Sequence, residues 1–174
     1  MKNEYNPDLM VSELLAEYAT LREEILKRME FQHQLISLTL IIAGTILSIG
    51  LQSESPISPL LVYPLIAVFL AIGWKHHNTR ISTIGQYIRD NIEKKLTHVN
   101  WETYFNYKVD KEQPKIKGAT QRMLSAYGIF VGTQIATFLL SLLRSDFTTL
   151  SGLEIALLVA NVAAIAISVR ILVR

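Results

Sequence analysis

Polar side chains set inside long apolar runs are the residues of this chain best placed to do chemistry. Gln34, Ser37, Ser48 and Gln52, with Gly44 among them, fall close to one face of a helix. Gln134, Thr137 and Ser141 share a second helical face, and Glu154, Asn161 and Ser168 recur at heptad spacing on a third. Amides and hydroxyls in hydrocarbon must find partners or water, so such stripes either glue helices together or line a wet path. Ser48, Gln52, Gln134, Thr137, Glu154 and Asn161 are therefore the candidates for a pore or polar stripe. Of the candidates only Glu154 ionises, and it sits near the end of its run, where water reaches it. A proton relay or a substrate counter-ion would need more, which argues against a coupled transporter.

Other chemistries find little support. His33, His76, His77 and His98 raise the metal question, but adjacent histidines on a helix point about 100° apart. No carboxylate cluster accompanies them. A polar collar responsive to pH is the other use for histidines at an interface. The chain has no cysteine, which removes disulfides, thiolate metal sites and cysteine nucleophiles together. It has no GxSxG, HExxH, P-loop or dinucleotide fingerprint. Neither an enzyme, a metal site nor a cofactor is expected.

A second pattern concerns packing. Gly152, Ala156, Ala160, Ala164 and Ser168 form a ladder at four-residue spacing, and Gly128 and Gly132 a shorter one. Helices in lipid associate through small residues, because lipid tails leave no hydrophobic drive. These ladders serve contacts either within one subunit or between subunits.

The elements that must carry these positions follow from hydropathy. Charged residues are 18% of the 174 and apolar ones 50%, and the charge is gathered into two segments between uncharged runs. Asn6, Pro7 and Asp8 read as a helix start. Val11, Leu14, Tyr18, Leu21 and Ile25 then form one stripe at spacings of three and four. The pairs Glu23–Lys27 and Glu24–Arg28 stand in the favourable order. This amphipathic helix lies on the membrane or on its neighbour, or else self-associates as a short coiled coil. Spans are expected at Gln34–Leu51, Ile57–Trp74, Met123–Leu143 and Leu153–Val169, with Pro64 in the first turn of the second. Ile81, Ile84, Ile88, Ile92 and Leu96 extend the second span as one long helix. Asn100 caps a short helix through Trp101, Glu102, Tyr104 and Phe105. Together with Tyr107, its aromatics pack under the cytoplasmic helices or dip into headgroups. Lys111, Pro114, Lys115, Lys117 and Gly118 read as a linker. The expected fold is an all-α integral membrane protein: four transmembrane helices as two hairpins with cytoplasmic helical extensions. Its divisions are 1–33, 34–74, 75–122 and 123–174.

Charge sets the orientation. Residues 74–122 carry ten basic against five acidic side chains, and Lys and Arg beside spans are retained in the cytoplasm. Both termini are then cytoplasmic, with Arg170 and Arg174 on the same side. The opening MKNEYNPDLM is acidic and polar rather than basic then apolar, so the first span itself is expected to direct insertion. Residues 1–34 carry four basic against seven acidic side chains, which favours docking of the first helix on the basic connector. The remaining positive excess suits anionic lipid or a cytoplasmic protein partner. Acids interleave the basic residues, so no dense patch for nucleic acid forms.

The order of elements in residues 8 to 96 is an amphipathic helix (EYATLREEILKRMEFQHQ), a span (LISLTLIIAGTILSIG), a short turn, a second span (YPLIAVFLAIGW) and a long helix. It resembles the SLATT-like two-span modules of bacteria. That resemblance implies a membrane effector in nucleotide-signalled defence, acting by pore formation. The expectation is an inner-membrane homo-oligomer that conducts ions or disrupts the bilayer, gated through its cytoplasmic helices. The alternative is a non-conducting anchor or scaffold that recruits a cytoplasmic partner.

Overall fold

The computed structural model describes residues 7–52, 56–96, 98–104, 117–146 and 150–173. Among these residues the chain is all-helical, with no strand. The first helix, α1, runs unbroken over Pro7–Gly50. Pro7 and Asp8 occupy its first turn as expected, whereas Asn6 lies outside the described residues. The second helix, α2, covers Ser58–Tyr87 and continues as a π-helical turn, Ile88–Ile92, and a 3-10 turn, Glu93–Lys95. Leu96 then turns extended at φ −111° and ψ 122°. The winding change has a sequence cause. Ile84, Ile88, Ile92 and Leu96 recur every four residues, longer than the 3.6-residue α period, and the wider π turn helps keep Ile88 and Ile92 on one buried face.

The place of one proline and the start of one helix differ from the sequence reading. Because α2 starts at Ser58, Pro59 takes the first-turn position and Pro64 lies inside the helix, where its ring forgoes the bond to the Leu60 carbonyl. The third helix, α3, covers Lys117–Arg144, so Lys117 and Gly118 are helical rather than linker. Ala119, Gln121 and Arg122 are strong helix formers, and one glycine costs only about 1 kcal/mol, so the helix propagates back from its apolar part. The remaining linker residues Lys111, Pro114 and Lys115, and the aromatics Phe105 and Tyr107, lie outside the described residues. The fourth helix, α4, covers Gly152–Val173.

Among the described residues, three helical stretches are long and apolar enough to cross a membrane: Pro7–Gly50, Ser58–Lys95 and Gly152–Leu172. The apolar part of α3, Gly128–Arg144, is shorter.

The chain forms two compact units, residues 1–31 with 77–118, and residues 32–76 with 119–174. In the first, Leu14, Tyr18, Leu21 and Ile25 of the expected stripe pack on Ile88, Ile92 and Leu96, while Val11 stays exposed. Arg28 pairs with Glu24. Glu93, 3% exposed, accepts from Glu102 N at 2.7 Å, Thr103 N at 2.9 Å and Thr103 Oγ1 at 2.8 Å. Its carboxylate thereby satisfies backbone donors at the start of the helical stretch 101–104. Gly85 permits the approach, since a Cβ there would lie 3.2 Å from Glu102 Oε2.

In the second unit, α1 and α2 pack antiparallel through Ala43, Tyr63 and Ala67. At Gly50 a Cβ would come within 2.6 Å of the Leu60 side chain, so any larger residue would force buried Leu60 to move. A further cluster joins Ile36 of α1, Ala71 and Trp74 of α2, Ala126 and Phe130 of α3, and Leu172 of α4. Tyr63 donates to Thr133 Oγ1 at 2.7 Å, tying α2 to α3.

Candidate functional site

The three polar stripes are treated differently by the bundle. Those of α3 and α4 face each other. Gln134 Nε2 donates to Ser168 Oγ at 2.8 Å, and Phe130 shares a cluster with Leu172, so the two helices run antiparallel. Counting seven residues on from Gln134 and seven back from Ser168 brings Ser141 level with Asn161. Gln134, Thr137, Ser141, Asn161 and Ser168 are all 0% exposed. The hydroxyl protons of α3 are committed within that helix. Thr133 donates to Ile129 O at 2.6 Å, Thr137 to Thr133 O at 3.0 Å, Ser141 to Phe138 O at 2.7 Å and Ser145 to Ser141 O at 2.7 Å. Among the described residues, Gln134 Oε1 and both amide atoms of Asn161 have no hydrogen-bond partner.

The α1 stripe points the other way. Gln34, Ser37, Gly44, Ser48 and Gln52 are exposed on the surface of the unit, and a Cβ on Gly44 would meet nothing within 4 Å. Gln34, Ser37, Gly44 and Ser48 share an arc of about 100° with Thr45 and Ile41, which are also exposed, while Gln52 lies just beyond the end of α1. The small-residue ladders divide as well. Ala164 and Ser168 are buried and Ala160 half-buried, whereas Gly152 and Ala156 are exposed. Gly128 and Gly132 face outward, with nothing within 4 Å of a built Cβ. Ala160 and Ala164, with Leu65, Val68 and Phe69, line an apolar groove of about 220 Å³ between α2 and α4.

Glu154 has a local role that the sequence carried and composition hid. Its carboxylate accepts from Ser151 N at 2.9 Å and Ser151 Oγ at 2.8 Å, while Glu154 N donates to Ser151 Oγ at 3.3 Å. This is a capping box at the start of α4, and Ser-x-x-Glu before an apolar run was its legible signal. Arg144, in the last turn of α3, donates to Gly50 O at 2.6 Å and so closes the carboxyl end of α1. Only its position at a helix end hinted at that.

Elsewhere the contacts are structural. His77 stacks on Phe31 at 5.5 Å, His33, His76 and His98 are exposed, and no group of three His, Asp or Glu forms among the described residues. In the first unit Arg22 donates to Glu102 Oε1 at 2.6 Å and lies over the Tyr18 and Trp101 rings. Trp101 and Tyr104 are 55% and 56% exposed. The hydrogen bond from Tyr87 to Glu17, at 2.8 Å, raises the tyrosine pKa. Asp90 is held below the usual aspartate value by its hydrogen bonds to Lys94 and then Arg89.

Comparison with protein-family models, with curated proteins and with solved structures gives no match to this chain.

Proposed function

We propose that this chain is a four-span protein of the bacterial inner membrane, with both termini cytoplasmic, that assembles as a homo-oligomer and conducts ions or disrupts the bilayer. The outward polar face of α1 carries this reading. Exposed Ser37 and Ser48 on a helix apolar enough to span have no use against lipid, and in an oligomer they would line an aqueous path, with exposed Gln52 just beyond the end of α1. The fourth span would be α3, whose 28 residues reach about 42 Å, beyond the ~30 Å hydrocarbon core. Gly128 and Gly132 supply a face for close packing between subunits. The basic connector sets the orientation and offers contacts to anionic lipid or a cytoplasmic partner. Its cytoplasmic helices would gate the path, and a role in defence follows from the SLATT-like order of elements. The burial of Asn161, Gln134 and Ser168 supports a lining made by α1 rather than α4.

A second reading is a non-conducting anchor. It is favoured by the buried α3–α4 stripe and by exposed Trp101 and Tyr104, which would serve partner recruitment.

The absence of cysteine makes the test direct. In reconstituted vesicles, Ser48→Cys is expected to react with a membrane-impermeant thiol reagent and to lose most of its ion flux on modification. Leu40→Cys, exposed on another face of α1, should resist both. Equal protection of the two positions, with no flux from the unmodified protein, leaves the anchor as the account.

A further inference from the structure

We propose that the seam between α3 and α4 is an internal hydration site, in which bound water satisfies the Asn161 amide and Gln134 Oε1. This goes beyond the functional reading above and stands whether or not the protein conducts.

Three polar atoms there lack a partner among the described residues: Gln134 Oε1, Asn161 Oδ1 and Asn161 Nδ2. Each belongs to a side chain 0% exposed. A buried, unsatisfied polar atom costs about 1–3 kcal/mol. In a span the chain has no bulk water with which to relieve it. The neighbouring side chains supply too few donors. Thr137 and Ser141 spend their protons on backbone carbonyls at 3.0 and 2.7 Å, and Ser168 Oγ, which accepts from Gln134 Nε2, keeps one proton of its own. A single hydroxyl proton cannot serve both carbonyl oxygens, which lie about two helical turns apart along the seam.

The unmet groups comprise two acceptors and one donor. Water supplies both functions from one molecule, whereas an alkali cation would answer the carbonyl oxygens and repel Nδ2. Exchanging the oxygen and nitrogen of Asn161 leaves the requirement unchanged, because both atoms are unpartnered. Thr137, Ser141, Ala164 and Ser168 along the seam are small, and the hydroxyls and amides there offer a bound water the two to four polar partners it needs. Phe130 and Leu172, both buried, close the seam beyond Gln134. At the other end the hydroxyls continue through Ser141 to half-buried Ser145. The seam is therefore a blind cleft that fills from the Ser145 end, not a path through the bundle.

The test uses the full chain in lipid bilayers with nitrogen-labelled asparagine and glutamine, and reads the transfer of water magnetisation by solid-state NMR. Loss of one signal in Asn161→Leu assigns that side chain, and Gln134→Leu assigns the other. Expected is transfer to both side-chain amides that builds up several-fold faster than to the backbone amides of Ala67 and Ala71, which are buried among apolar groups. Transfer no faster than to those alanines overturns the proposal, and this reading needs only the unsubstituted protein. Repeating the spectra in sodium, potassium and choline chloride separates the remaining occupant. Asn161 and Gln134 shifts that move with the alkali cations but not with choline would replace water by a bound cation and equally overturn it.

Discussion

Glu93 illustrates how much one side chain can organise. It is a carboxylate at 3% exposure that accepts two backbone N–H groups and one hydroxyl from residues 102 and 103. Hydrogen bonds to a charged acceptor are worth about 1.5–3 kcal/mol, and the donors it serves belong to a helical stretch too short to stand alone. Glu93→Ala is expected to destabilise the first unit by roughly that amount, seen as faster hydrogen exchange at the Glu102 and Thr103 amides. Glu93→Gln keeps one acceptor oxygen and should fall between. Unchanged exchange in Glu93→Ala would mean that these amides are held by something else. The sequence offered no sign of this role. Glu93 reads as one acid among many on a polar face, and only the π turn before it, with a return of the chain several residues later, brings carboxylate and donors together. Ser48 and Asn161 were both legible as polar positions in apolar runs, but their opposite fates were not. A hydrophobic period says that a residue shares a face, and which face turns inward is decided by the helices packed around it.

At the scale of the helix, α4 begins with a box that needs no tertiary contact. Ser151 and Glu154 exchange hydrogen bonds over three residues, satisfying donors that would otherwise be orphaned at the amino end. Ser151→Ala should cost about 1 kcal/mol, measured as earlier fraying of the first turn in hydrogen exchange. Glu154→Gln, which the box tolerates, should change stability little and leave any ion selectivity as it was. A strong effect of Glu154→Gln on selectivity would instead restore this residue to the conducting path. Such local devices are written within a few residues and can be read there, as can the unbroken course of α1 and the apolar content of α2 and α4. The π turn is half legible: four-residue spacing announces that an α-helix will drift, but not how the chain will correct it. Pro64 was misread although the start of the span was legible to within one residue, because seven positions on from Ile57 is already past the first helical turn.

Assembly is the property on which the whole-molecule reading turns, and the outward glycines of α3 give a clean way to ask about it. Most glycine substitutions in a bundle confound folding with association. At Gly50 a Cβ would strike Leu60 at 2.6 Å, and at Gly73 it would meet Leu35 at 3.4 Å, so a change in either could disturb the subunit itself. Gly128 and Gly132 differ, because a Cβ at either meets nothing within 4 Å. A side chain there starts into open space on the outside of the subunit and so acts chiefly on what approaches from outside. Close packing between membrane helices depends on such small residues, so a branched side chain at their centre should hold the partner backbone away. Gly132→Ile is therefore expected to lower the protein mass in mild detergent, measured by light scattering corrected for bound detergent, while helix content and thermal unfolding of the subunit stay unchanged. Flux, if the native protein conducts, should fall with the mass. An oligomer whose mass survives both Gly132→Ile and Gly128→Ile would be held by another surface, leaving the exposed α1 stripe and the α2–α4 groove as the faces to substitute next. A native protein that is already monomeric would remove the basis for a shared path lined by Ser48 and Gln52, since one α1 helix cannot enclose an aqueous channel.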